Sequence, residues 1–255
     1  MDKALVSDIQ RASVNDGYGI RTTVFFKGCP LKCAWCHNPE CISFEREELF
    51  YPEKCIGCGK CAEGCYSGAR VICGKEMSAR ELVSELLLDK VYFEKGGGVT
   101  FSGGEPLAKA EFLHTVCDLL KDEGISAAAE TSLIYFDKAL FQKLDFVMAD
   151  LKIWDTKLHK KYTGAQNDVI KENFIRLNEL GITIIARTPV IPGIEQGFFE
   201  ISEFLKKLEN VKKYELLPYH SLGTEKYRAL GKEQTVFSVP AKEYMEEVNR
   251  FAYIR

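Results

Sequence analysis

Along most of this chain, short runs of β-branched and aromatic residues alternate with longer stretches whose apolar positions recur at helical spacing. R-T-T-V-F-F-K at 21–27 suits a buried strand. Ser78 can cap a helix carrying Leu82, Val83, Leu86 and Leu87 on one face, and Gly96-Gly97-Gly98 ends that segment. V-T-F-S at 99–102 reads as a strand, followed by a helix near 108–123 closed by Gly124 and a strand-like I-S-A-A-A-E-T at 125–131. The alternation continues with a helix over 137–143, D-F-V-M-A-D-L-K at 145–152, a helix over 168–180 closed by Gly181, and I-T-I-I-A-R-T at 182–188. It finishes with a helix near 198–209, K-Y-E-L-L-P-Y-H at 213–220 and a helical stretch at 240–251 after Pro240. Six β-rich runs separated by helices predict an α/β chain of parallel βα units, a partial parallel (β/α)6 TIM-like barrel. Residues 38–76 interrupt that pattern and read as an insertion, its module spanning 45–76. Asp16-Gly17-Tyr18-Gly19 is a turn signal ahead of the first strand.

At 255 residues the chain is long enough for one or two domains, and a single α/β barrel fits that length. A formal charge of -3 points to neither a nucleic acid nor a membrane partner. No apolar run approaches the roughly 18 residues of a spanning helix. Met1 to Asp8 lacks a signal-peptide pattern, so the cytoplasm is the expected compartment. Eight of the 10 cysteines lie between Cys29 and Cys65, and in a chain of cytosolic character such clustering points to metal binding rather than disulfides.

The candidate chemistry starts with Cys29, Cys33 and Cys36, spaced C-x3-C-x2-C directly after the first strand. Three thiolates held so close suit one soft metal centre, and a missing fourth cysteine leaves one metal position open to a ligand. A zinc knuckle or buried free thiols is the competing reading. Cys55, Cys58, Cys61 and Cys65 follow the bacterial ferredoxin run C-x2-C-x2-C-x3-C, with Tyr66 where that run has proline. The fourth ligand of this second centre is open between Cys65, Cys73 and Cys41, and zinc is again the alternative metal. Polar groups also follow every later strand: Ser102-Gly103-Gly104-Glu105, Glu130-Thr131, Asp150 and Lys152, Arg187, and His220. In a parallel barrel these strand ends share one rim, so the groups are expected above a single cavity. Each charge taken alone reads equally well as an ordinary surface or paired charge.

C-P-L-K-C-A-W-C-H-N-P-E, G-G-G-V-T-F-S-G-G-E-P-L, M-A-D-L-K and Y-E-L-L-P-Y-H, in this order and separation, resemble the glycyl radical enzyme activating enzymes of the radical S-adenosylmethionine superfamily. The group includes the pyruvate formate-lyase activase and relatives with a ferredoxin-like insertion. The resemblance covers nearly the whole chain, 1–255 forming the radical core. It implies an oxidoreductase in which Cys29, Cys33 and Cys36 hold a [4Fe-4S] cluster whose open iron is chelated by S-adenosylmethionine. Trp35 and His37 would flank the nucleoside, and Gly103, Gly104 and Glu105 would meet the methionine amine. Asp150, Leu151 and Lys152 would line the ribose and carboxylate, with His220 near the adenosine. A monovalent cation would sit at Glu130, Thr131, Met148 and Asp150, and a second [4Fe-4S] cluster in the insertion.

The implied reaction is reductive cleavage of S-adenosylmethionine to a 5′-deoxyadenosyl radical, which takes a hydrogen from a glycine of a partner glycyl radical enzyme. A flavodoxin or ferredoxin type donor would supply the electron. A radical enzyme acting directly on a small molecule, and a non-catalytic iron-sulfur or zinc protein, are the competing classes. Four features depart from the family pattern: a single ferredoxin-like run, Tyr18 in place of proline, Leu133 in place of glycine, and Glu130 in place of aspartate. Tyr18 and Leu133 are expected near the cofactor or the partner's glycine loop.

Overall fold

The computed structural model describes residues 3–61 and 64–255. Its strands are β1 (Lys3–Ser13), β2 (Arg21–Phe26), β3 (Glu47–Phe50), β4 (Arg70–Cys73), β5 (Lys75–Ser78), β6 (Gly98–Gly103), β7 (Ser126–Thr131), β8 (Phe146–Asp150), β9 (Thr183–Val190), β10 (Val211–Pro218) and β11 (Tyr253–Ile254). The α-helices are α1 (Ala79–Leu87), α2 (Ala110–Asp122), α3 (Lys138–Phe141), α4 (Thr156–Thr163), α5 (Asp168–Glu179), α6 (Phe198–Leu205), α7 (Thr224–Ala229) and α8 (Lys242–Asn249). All six β-rich runs read from the sequence are strands, and β2, β6, β7, β8, β9 and β10 pair in parallel in that order. The 9-stranded sheet runs β11-β10-β9-β8-β7-β6-β2-β1-β5, and among the described residues no ladder joins its two edges. The barrel is therefore partial, as expected.

Alternation along each parallel strand decides which face carries chemistry. Ala127 and Ala129 of β7, Val147 and Ala149 of β8, and Ile184 and Ala186 of β9 join the large core beneath the helices. Ala128, Phe146, Met148 and Ile185 form a separate apolar cluster on the opposite, inner face. Continuing the same period brings Glu130, Asp150 and Arg187 to the inner face at the C-terminal strand ends. Helix α1 begins where Ser78 forecast, through a capping box in which Ser78 Oγ accepts from Glu81 N at 3.3 Å and the Glu81 carboxylate accepts from Ser78 N at 2.8 Å.

Three strands were not foreseen as parts of the main sheet. β1 and β5 extend one edge antiparallel, and β11 covers the other. Lys75 and Glu76, read as the end of the inserted module, pair with Val6 and Leu5 of β1 and belong to the main sheet. What stands apart is the β3–β4 hairpin, whose connecting loop carries the second cysteine set. Helices α4 and α7 are also additions to the expected pattern, and the helix expected near 108–123 opens with a 3-10 turn at Pro106–Lys109.

Candidate functional site

β2 delivers Lys27 and Gly28 to a loop that is tied down on two sides. Gly28 N donates to Cys41 O at 2.8 Å and Cys29 N to Ile42 O at 3.0 Å, while Lys32 N and Ala34 N reach Thr163 O and Tyr162 O at the end of α4 at 2.8 and 2.9 Å. So anchored, Cys29, Cys33 and Cys36 line one cavity of about 260 Å³. Burial pushes the Cys29 thiol up to about 12, with the charge of Glu105 adding to it. Cys33 and Cys36 are likewise raised, chiefly by burial. Uncharged at neutral pH, these thiols are not nucleophiles; a metal taking them would release their protons. Among the described residues no group of three His, Cys, Asp or Glu is already placed to hold a metal ion.

The opposite wall is backbone. A Cβ on Gly103 would lie 2.3 Å from Phe26 N, and one on Gly104 2.5 Å from the carbonyl oxygens of both Cys41 and Gly28. Only glycine permits loops this close. Glu105, expected to meet a ligand, lies behind this wall with both carboxylate oxygens engaged. Oε1 accepts from Thr131 Oγ1 at 2.6 Å and Leu107 N at 3.2 Å, and Oε2 accepts from Ser132 Oγ at 2.6 Å and Ser132 N at 2.9 Å. Burial raises its pKa against the pull of those donors.

Four charges span the inner face. Arg187 Nη1 donates to Glu130 Oε1 at 2.7 Å and its Nε to Asp150 Oδ1 at 3.3 Å, while Lys152 Nζ donates to Asp150 Oδ2 at 2.6 Å. Ser102 Oγ donates to Glu130 Oε2 at 2.6 Å. Asp150 lies directly across from Arg187 in the β8–β9 ladder, which fixes the pairing. Burial disfavours the Asp150 charge, but Lys152 and Arg187 outweigh it and hold the carboxyl below its usual range. The reciprocal attraction raises Lys152 and Arg187 despite their own burial. The four charges expected at the rim thus neutralise one another.

The far end is aromatic. Trp35 packs on Tyr162 and Phe237, both at 6.3 Å between ring centroids, and His37 stacks on His220 at 3.7 Å. Burial, then the neighbouring His220, lower His37 to about 4, so it is neutral. His37 Nε2 and Tyr219 Oη are buried with no hydrogen-bond partner among the described residues.

Of the residues forecast to bind, Cys29, Cys33, Trp35, Cys36, His37, Gly103, Gly104, Asp150 and Lys152 line this cavity. Leu151 is a buried anchor instead, its N–H donating to Arg187 O at 3.0 Å and its carbonyl accepting from Thr188 Oγ1 at 2.6 Å. His220 is exposed and reaches the site through its stack on His37. The sequence reading passed over Ser132, Ile191 and Tyr219, which also line the wall. Tyr219 had a signal, the aromatic of P-Y-H; Ser132 and Ile191 had none beyond their place after a strand. Tyr18 packs edge-on against Phe146 at 4.9 Å, at the N-terminal end of β8 and so away from the rim, and the Leu133 side chain is in the core.

Cys55, Cys58, Cys61 and Cys65 line a second cavity of about 270 Å³ in the β3–β4 loop. Cys65 is held down to about 7, first by the Ser67 hydroxyl and then by the Arg70 N–H. Cys73 and Cys41 are buried elsewhere, with Ser7 Oγ 3.0 Å from the Cys73 sulfur.

A family model described as the radical SAM superfamily matches residues 23–206. The chain belongs to the radical SAM superfamily. Radical SAM membership brings a [4Fe-4S] cluster and S-adenosylmethionine as cofactors. The residues present fit both groups: three free thiols share one cavity with two buried polar atoms that have no partner among the described residues and with an aromatic wall. Within the superfamily, its relatives are activating enzymes of glycyl radical enzymes. The chain is 37% identical to the trans-4-hydroxy-L-proline dehydratase activating enzyme of Clostridioides difficile, over 96% of this chain and 95% of that protein. It is 40% identical to the pyruvate formate-lyase 2-activating enzyme of Escherichia coli (strain K12), over 94% of this chain and 85% of that one. The crystal structure of QueE from Escherichia coli shares the fold, with a TM-score of 0.51 at 18% identity over 91% of this chain and 92% of that one. No helix among the described residues is long and apolar enough to cross a membrane.

Proposed function

We propose that this chain activates a glycyl radical enzyme: it cleaves S-adenosylmethionine reductively and takes one hydrogen atom from a backbone glycine of that partner. When bound, the cluster and S-adenosylmethionine supply electron transfer into the sulfonium and a carbon-centred radical that accepts the hydrogen. Cys29, Cys33 and Cys36 would hold the cluster, giving up their protons to do so. The Gly103–Gly104 backbone would meet the ligand's ammonium, and Lys152, steadied by Asp150, would offer a donor to its carboxylate. Trp35, His37 and Tyr219 would enclose the nucleoside, with His37 Nε2 and Tyr219 Oη, which have no hydrogen-bond partner among the described residues, as its polar contacts. Glu105 acts as a positioning residue, tying the Gly104 loop to Thr131 and Ser132. The site excludes water and stray hydrogen donors from the reacting atoms.

The observation that carries this reading is the convergence of three buried thiols and the Asp150–Lys152 pair on one cavity, in a chain 40% identical to a pyruvate formate-lyase 2-activating enzyme. A second [4Fe-4S] cluster on Cys55, Cys58, Cys61 and Cys65 extends it. Support comes from their shared cavity, and from the polar hydrogens around Cys65 that favour its thiolate over Cys73 or Cys41 as fourth ligand. A reducing donor of flavodoxin or ferredoxin type, and a cytoplasmic setting, complete the proposal.

The test is anaerobic reconstitution with iron and sulfide, reduction by dithionite, and assay of 5′-deoxyadenosine with and without a candidate glycyl radical enzyme. A partner-dependent glycyl doublet in the electron paramagnetic resonance spectrum is expected. Cleavage indifferent to any protein partner, but stimulated by a small molecule, would move the chain to the direct-acting class. Zinc in place of iron at Cys29, Cys33 and Cys36 would end the proposal. Replacing Cys58 and Cys61 by alanine should lower iron from about eight to about four per chain.

A further inference from the structure

Every side-chain oxygen of the four residues matched to a monovalent cation is already hydrogen-bonded within the chain. Glu130 Oε1 and Oε2 accept from Arg187 and Ser102, and Asp150 Oδ1 and Oδ2 accept from Arg187 and Lys152. Thr131 Oγ1 donates to Glu105 and accepts from Leu133 N at 3.0 Å. The Met148 sulfur lies 3.7 Å from Arg187 Nη1. Three of the four groups therefore face one guanidinium, and the fourth faces away. A free ion placed among them would also stand beside two cations in a site where like charges are weakly screened. The residues do not fit a bound monovalent cation.

We propose that the Arg187 guanidinium takes the place of that cation, so that the site is charge-balanced by the chain itself and S-adenosylmethionine binds without potassium or sodium. The strand register supports this, since Arg187 is directly across from Asp150 and Glu130 is paired with Met148 on the neighbouring ladder. Glutamate at 130 contributes as well: its extra methylene, relative to the family's aspartate, extends the carboxylate toward a side chain two strands away. A tethered fork of donors also differs from an ion in kind, because it fixes the orientation of both carboxylates at any ionic composition. The inference rests on the S-adenosylmethionine reading of the cavity.

The experiment compares anaerobically reconstituted wild type, Arg187→Gln and Arg187→Lys in potassium chloride and in choline chloride at equal ionic strength. Two quantities are read: the Kd for S-adenosylmethionine by calorimetry, and the Tm without it. Wild type should show the same Kd within about twofold and the same Tm within about 1 °C in both salts. Arg187→Gln opens the space, so in choline its Kd should weaken by about tenfold or more. Potassium should then restore at least about fivefold and raise its Tm. Arg187→Lys keeps a positive charge and should be indifferent to the salt. A potassium-dependent wild type overturns the proposal, as does an Arg187→Gln protein equally weak in both salts. If Arg187→Gln does not fold in either salt, Arg187→Lys decides: a potassium response in it is refuting. Wild type that binds no S-adenosylmethionine in either salt sinks the cofactor reading instead, and the Tm comparison still answers the cation question.

Discussion

Replacing Glu105 by glutamine separates two roles that its motif alone cannot distinguish. The carboxylate is almost completely buried, 1% exposed, and accepts four hydrogen bonds. Two of the donors are hydroxyls that can turn; the other two, Leu107 N and Ser132 N, cannot. Whichever way the new amide lies, its NH2 faces one of those backbone N–H groups and leaves it unsatisfied. One orphaned buried donor costs about 1–3 kcal/mol, and the remaining bonds lose their charge assistance, for a total of roughly 2–4 kcal/mol. At about 2–4 °C per kcal/mol for a chain of this size, the Tm should fall by about 4–16 °C. Thermal unfolding of the metal-free chain under argon measures this directly, and S-adenosylmethionine affinity of the reconstituted variant should fall only modestly. A Tm within about 1 °C of wild type together with loss of ligand binding would refute the positioning role and make Glu105 a ligand contact.

Two further outcomes check other parts of the description. Partial burial opposes the charge on Glu47, but hydrogen bonds from Lys232 at 2.6 Å and Lys27 at 3.1 Å outweigh it and lower its pKa. Its contribution to stability is therefore present above the unfolded value of about 4.3 and lost as pH falls through the lower folded value. Melting curves of wild type and Glu47→Gln should differ at pH 7 and converge once the pH has fallen below that folded value. Ser78→Ala removes the Oγ acceptor of the α1 capping box and should cost about 1 kcal/mol, a Tm drop of about 2–4 °C by circular dichroism.

The parallel strands were legible because they are buried on both faces and so read as near-continuous apolar runs; β8, with F-V-M-A between two aspartates, is the clearest case. β1 escaped because K-A-L-V-S-D-I-Q-R-A-S buries only Ala4, Val6 and Ser13, and its polar half resembles a loop. α4 was missed for a similar reason: T-K-L-H-K-K-Y-T buries a histidine and a threonine, whose Nδ1 and Oγ1 lie 3.0 Å apart, rather than an apolar stripe. Motif spacing located the cysteine loop, the glycine pair and the charged strand ends. Spacing carries no information on where a carboxylate points, so Glu105 was expected in the cavity and is found behind it. Nor could it show that Arg187 is directed at Glu130 and Asp150, since that pairing depends on ladder register between β7, β8 and β9.

The glycine wall sets unequal tolerances for drift around the cavity. At Gly28 an added methyl would strike the Phe44 ring at 2.5 Å, and Phe44, 46% exposed, is a side chain that another substitution can shorten. At Gly104 the same methyl would strike two main-chain carbonyl oxygens, which every amino acid possesses. Shortening Phe44 clears the space at position 28 but leaves the backbone there at φ +107°, which still favours glycine, whereas at position 104 the backbone is ordinary and it is the space that no exchange of a neighbouring side chain clears.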